Sequence, residues 1–145
     1  MSFSSSGNDN NLKKQLTTLS IFGALAVALG AMGAHWLKNQ LPSGLITPEQ
    51  LNGFDTAVRY QMYHTLAMLA VVLLGFHLQS KFLRYAYNCF LVGIILFSGS
   101  LYFLCTRNLY HADFLKMLGP VTPLGGLFFI AGWIFLGLSG RGKKF

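Results

Sequence analysis

Charge is what this chain has least of. Fifteen of its 145 residues, 10%, are Asp, Glu, Lys or Arg, where a soluble domain carries about a quarter. That excludes an ordinary water-facing domain with a single core, and it excludes a disordered chain. Cysteine is equally scarce. With only two, a secreted disulfide scaffold is ruled out. Cys89 and Cys105 lie sixteen positions apart in one apolar stretch, roughly 24 Å along a helix, too far to pair with each other. They read as small helix-packing residues. Carboxylates number four, namely Asp9, Glu49, Asp55 and Asp113, and none falls within a long apolar run.

The charges that exist are unevenly placed. The intervals 15–37, 60–80, 85–106 and 117–140 contain no Asp, Glu, Lys or Arg at all. A bilayer core about 30 Å thick takes about 20 apolar residues as helix, so each interval crosses once. A closed barrel is the other spanning solution, but it needs alternation, and Leu66-Ala67-Met68-Leu69-Ala70-Val71-Val72-Leu73-Leu74 has none. Twelve of the sixteen glycines lie in these intervals, where small residues let helices approach closely. The expected fold is an all-α membrane protein, a four-helix transmembrane bundle with spans at 16–37, 58–79, 83–106 and 119–139. Residues 1–14 are expected as a disordered tail and 141–145 as a short basic tail, flanking one domain at 15–140.

The net charge of +7 invites a nucleic-acid reading that the placement removes. Lys13, Lys14, Lys81, Arg84, Arg141, Lys143 and Lys144 fall on one side of the membrane, opposed by Asp9 alone. Lys38, Arg59, Arg107 and Lys116 fall on the other with the remaining three carboxylates. That asymmetry is a topology signal placing both termini in the cytoplasm, with anionic headgroups as a contributing attraction. The expected location is the cell (inner) membrane, multi-pass.

Local signals refine the outline. Lys13-Lys14, the apolar core from Ile21 and Ala31-Met32-Gly33 imitate a cleavable signal, but Trp36-Leu37 continue the run and three spans follow, so an uncleaved first helix is expected. Thr47-Pro48-Glu49-Gln50 offers a capping threonine, a proline at the first helical position and a capping-box glutamine, which starts a helix ahead of the second span. Leu51, Phe54 and Val58 recur at helical spacing, Gly53 is a bending point, and Asp55 is spaced to pair with Arg59. Gln79–Phe82 reads as a tight turn. The connection 107–119, with Leu109, Tyr110, Phe114 and Leu115 among its charges, reads as surface-lying. Pro120 and Pro123 are tolerated at the start of the fourth span because first-turn amides have no helical partner.

Polar side chains in lipid are costly and mark candidate sites. They gather toward one end of the spans as a candidate cluster of His35, Tyr60, Gln61, His64, Tyr102 and Thr122. Tyr60, Gln61 and His64 project within roughly 100° of one another on a helix. His64 is the central candidate, either for proton or ligand chemistry or, more simply, as a hydrogen-bonding lock between helices. His35 with Trp36 resembles an interfacial anchor. A metal site from His35, His64 and His111 lacks any supporting ligand motif, so no metal and no cofactor is expected. Ser100 finds no base and acid in sequence to make it a nucleophile, and no catalytic residue is assigned. Pro123-Leu124-Gly125-Gly126 opens a helix that could face an anion, though the membrane boundary explains it equally well. Ala26, Gly30 and Ala34 form a small-residue stripe and Gly99 a further small position, together the expected helix-packing residues.

Four segments occur in order: Gly30-Ala31-Met32-Gly33-Ala34-His35, Tyr60-x-x-x-His64-Thr65-Leu66-Ala67, Phe97-Ser98-Gly99-Ser100-Leu101-Tyr102, and Thr122-Pro123-Leu124-Gly125-Gly126 with Gly132-Trp133. In this register the chain resembles the YgdD/YwdK-type family of small bacterial membrane proteins, a domain-of-unknown-function family with mitochondrial relatives. The resemblance covers roughly residues 16–140, with a longer connection at 107–119. It implies a four-helix integral membrane protein and makes His35 and His64 part of a shared pattern. It implies no activity.

Three functions remain open. The favoured one is a non-enzymatic structural or assembly-partner protein whose partners are the lipid bilayer and either a homo-oligomer or another membrane protein. The alternatives are a small-solute or proton pathway, and a lipid- or quinone-binding protein, both using the cluster around His64. Against transport, no inverted repeat or paired broken helices are present.

Overall fold

The computed structural model describes residues 5–141 and the backbone of 143–144. Among the described residues four helices are long and apolar enough to cross a membrane. Helix α1 (Ser5–Met32) continues through a π turn at Gly33–Leu37 and a 3₁₀ turn at Lys38–Gln40 as one rod. Helix α2 covers Pro48–Leu74. The third span is composite: α3 (Lys81–Gly93), a π turn at Ile94–Ser98, and α4 (Gly99–Thr106). Two 3₁₀ turns, Arg107–Tyr110 and Asp113–Leu118, lead into α5 (Val121–Ser139).

Local chemistry accounts for the helix starts. Thr47 Oγ1 accepts from the Gln50 amide at 3.2 Å while Gln50 Oε1 accepts from the Thr47 amide at 3.0 Å, the reciprocal capping box with Pro48 in the first turn. Arg59 donates through Nε to Asp55 Oδ2 at 2.9 Å, one turn apart on the exposed face. Within lipid-depth helix, Thr17 and Thr18 return their hydroxyls to the carbonyls of Lys13 and Lys14, so neither reaches the bilayer unsatisfied.

Several expectations are corrected. Residues 5–14, expected as a disordered tail, are helical as the first turns of α1; residues 1–4 lie outside the described part. Helix α2 passes through Gly53 unbroken, and a Cβ there would sit 2.6 Å from Cys105 Sγ, so the glycine serves close helix approach. Helix α2 stops at Leu74, not 79, because Gly75 closes the helix with its amide on the carbonyls of Val71 and Val72. The following chain makes a two-residue antiparallel pairing, Leu78 with Lys144 and Gln79 with Lys143. This pairing draws the basic C-terminal end to the α2–α3 turn, on the membrane face that also holds the start of α1. We call it the terminal face.

The central helices are α2 and the third rod, 44% and 39% buried over their apolar windows, against 17% for the first and fourth. Helix α1 lies along α2, and α5 lies along α3. The core has two parts. Met68, Val71, Ala86, Phe90, Ile94 and Phe129 fill the half toward the terminal face, and Leu37, Ile46, Phe54 and Cys105 fill the other.

The α3–α5 contact is built on glycine. A Cβ at Gly93 would lie 2.6 Å from Phe129 Cε1, and one at Gly132 would lie 2.6 Å from Phe90 Cδ1. Each helix thus seats a phenyl ring on the glycine of the other. At Gly125 a Cβ would be 2.8 Å from the Cα of Phe97, so here the two backbones themselves meet.

Candidate functional site

His64 sits on α2 and is 5% exposed. Ten residues separate it from Leu74, roughly 15 Å of helix, half the thickness of a bilayer core of about 30 Å. Its Nδ1 faces the Tyr60 carbonyl at 2.8 Å and its Nε2 lies 3.3 Å from the Trp133 indole nitrogen. Indole nitrogen can only donate, so Nε2 accepts, and the neutral tautomer with hydrogen on Nδ1 satisfies both contacts. Phe129 stacks on the ring and Phe90 tilts against it.

Gln61, three positions before His64 on the same helix, faces a different neighbour set. Its Nε2 donates to the Phe22 carbonyl of α1 at 2.8 Å, and its Oε1 accepts from the Tyr102 hydroxyl at 2.9 Å. One side chain ties three spans. Thr122 pairs with Ser100 at 2.6 Å, joining α5 to α4, and Ser98, fully buried, donates to the Ala57 carbonyl at 2.8 Å. Tyr60 makes aromatic contacts, stacked on Phe97 and His64. His35 is exposed at the far end of the first rod.

The six candidate residues therefore do not line one pocket. They divide into a Gln61–Tyr102 bridge, a Tyr60–His64–Trp133 group and a Ser100–Thr122 pair, with His35 apart from all three. Three spans surround α2, so Tyr60, Gln61 and His64 meet different partners. Among the described residues no three His, Cys, Asp or Glu side chains converge as a metal site. Of the small residues, Ala26 is 1% exposed and Gly30 would place a Cβ 3.3 Å from Val58. Ala34 is exposed and Gly99 has open space beside it.

Sequence reasoning missed Trp133 as a partner of His64. The available signal was its position: an indole well inside a span, away from the interfacial belts, needs an acceptor for its N–H. Ser98 was legible only as a serine. Its bond to Ala57 depends on the π turn that carries it.

Residues 29–126 match a family model described as a protein of unknown function, DUF423. A UPF0382 membrane protein of Haemophilus influenzae is 41% identical over 123 residues, covering 85% of this chain and 90% of that protein. The UPF0382 membrane protein YwdK of Bacillus subtilis is 38% identical over 118 residues, covering 81% and 87%. A UPF0382 membrane protein of the yeast Schizosaccharomyces pombe is 37% identical over 114 residues, covering 79% and 90%. No solved structure matches significantly. The chain belongs to the DUF423 family of membrane proteins.

Proposed function

We propose that this DUF423 protein is a non-enzymatic structural or assembly partner within the cell (inner) membrane, with both termini cytoplasmic. The observation that carries the reading is the fate of the polar groups inside the bundle. Gln61, Tyr102, His64, Trp133, Ser98, Ser100 and Thr122 are all engaged in bonds between or within helices. Polar groups used in this way act as helix-to-helix glue. A reaction or a conduction path needs polar groups that are free to change partners, and the central histidine has both nitrogens occupied and phenyl rings of Phe90 and Phe129 against it. This weighs against a proton or small-solute pathway and against quinone chemistry at His64.

The partner is either a second copy or another membrane protein, presented with the lipid-facing surfaces of the first and fourth spans. Purification from native membranes in a mild detergent, with the mass of the particle measured, tests this. A reproducible stoichiometric complex is expected. A monomer that conducts protons or a solute in liposomes, with conduction abolished by His64→Phe, would overturn it.

A further inference from the structure

Between α1 and the third rod the Tyr87 hydroxyl of α3 donates to the Gln15 carbonyl of α1 at 3.4 Å, and spaces open along the seam around that bridge. Near the terminal face the two helices enclose a cavity of about 380 Å³ whose polar wall includes Lys14, Arg84, Asn11, Gln15 and Asn88, and no carboxylate. Among the described residues neither Lys14 nor Arg84 forms an ion pair. A neighbouring cavity shares Arg84 and contains the sole acid of this face, Asp9. Deeper on the same seam is a second space of about 450 Å³, lined by Phe22, Leu25 and Leu29 of α1 and by Ile95 and Phe103 of the third rod. Its walls are apolar except at Gln61, Ser100 and Tyr102, whose side chains are already hydrogen-bonded.

The two spaces lie on one line. The α1 positions 11, 15, 18, 22, 25 and 29 advance by three or four residues and make a single helical stripe. From Gln15 to Leu29 the stripe runs roughly 21 Å, more than one leaflet of a bilayer core about 30 Å thick. Its upper positions Asn11, Gln15 and Thr18 are polar, with Lys14 and Arg84 beside them, and Phe22, Leu25 and Leu29 below are apolar.

A second observation points the same way. The first turn of α3 contains Lys81 and Arg84 and no acid, placing two cations at the positive end of the helix dipole. That is unfavourable for the helix alone and is offset by an anion held there. The backbone pairing of residues 143–144 with 78–79 brings the basic chain end to the same turn.

We infer that the seam between α1 and α3–α4 binds an anionic phospholipid, with its phosphate between Lys14 and Arg84 and an acyl chain in the groove of Phe22, Leu25, Leu29 and Ile95. Basic pockets between spanning helices are suited to such headgroups. The site goes beyond the structural role proposed above and stands or falls separately, because it requires no protein partner.

Native mass spectrometry of the full chain in micelles, titrated with phosphatidylglycerol, phosphatidylcholine or inorganic phosphate, is the test. Retention of phosphatidylglycerol above phosphatidylcholine is expected, with no comparable retention of phosphate. Each of Lys14→Gln and Arg84→Gln should weaken that retention roughly tenfold, as loss of a hydrogen bond to a charged group does. Lys13→Gln removes the same charge from the same face but lines neither cavity, and should have a distinctly smaller effect. Leu25→Trp keeps both cations and fills the groove, and should also weaken binding. Equal retention of the two lipids, equal effects of the three charge variants, or retention of phosphate alone would each overturn the assignment. So would a Leu25→Trp protein that binds like the wild type.

Discussion

The imidazole of His64 lies flat on the phenyl ring of Phe129, with centroids 3.5 Å apart and planes inclined by 8°. The same Phe129 ring covers Gly93 of α3. Three helices therefore meet at one stack, with α2 supplying the imidazole, α5 the phenyl and α3 the glycine beneath it. The indole of Trp133, one turn further along α5, reaches the edge of the same imidazole.

His64→Phe keeps an aromatic ring on Phe129 and leaves the Trp133 N–H without its acceptor. Side-chain hydrogen bonds between helices in membranes average about 0.6 kcal/mol and reach about 1.7, so the variant should fold and lose no more than about 2 kcal/mol. Trp133→Phe should lose a similar amount. Because the two residues share one bond, the double variant should lose less than the sum. Reversible unfolding in mixed micelles measures all three, and strict additivity would show that the bond contributes nothing.

Alanine at Gly132 brings a methyl within 2.6 Å of the Phe90 ring, and Gly93→Ala does the same to Phe129. Overpacking of this kind costs about 1–3 kcal/mol. Gly99→Ala meets nothing within 4 Å and should be neutral or slightly stabilising. The contrast can be read from melting temperatures of the three variants in one detergent.

Gln61→Leu removes both the bond to the Phe22 carbonyl and the acceptor for Tyr102, and should loosen α1 from the rest. Tyr102→Phe breaks only one of the two and should have roughly half the effect. Hydrogen exchange of the α1 amides around Phe22 gives the readout. Unchanged protection in Gln61→Leu would mean that α1 is held by apolar contact alone.

Sidedness has its own check. Ser43→Cys lies in the connection after the first rod and Gln79→Cys in the α2–α3 turn, on opposite faces of the bundle. In intact cells a membrane-impermeant maleimide should label the first and spare the second. The reverse pattern would place the termini outside.

The number of spans was legible because charge is excluded from lipid, and the cap at Thr47 because it is written in four consecutive residues. Partnerships were not. Hydrophobic periodicity fixes which side of a helix turns inward, but not which helix it meets. Gln61 and His64 thus appeared as one face and proved to serve different neighbours. The stop at Leu74 was missed because Phe76, His77 and Leu78 carry no charge; the glycine that ends the helix looks the same as the glycines that pack it.

The π turn at Ile94–Ser98, closed by the Gly99 amide on the Ile94 carbonyl five residues back, works as a frameshift in the third span. A helix advances about 100° per residue, and a turn closed over five residues, not four, absorbs one residue and re-indexes everything after it. Before the shift Gly93 takes the Phe129 ring of α5; at and beyond it Ser98 and Tyr102 reach the Ala57 carbonyl and Gln61 on α2 while Ser100 still meets Thr122 of α5. Deleting a single residue between 94 and 98 should restore a uniform helix and leave Tyr102 close to its present phase opposite Gln61, whereas the same deletion in the regular helix before or after the turn would swing the residues beyond it by about 100°. A loss of one letter there should thus be tolerated better than a loss in the regular helix on either side, which would move a whole half-helix out of phase with its partners.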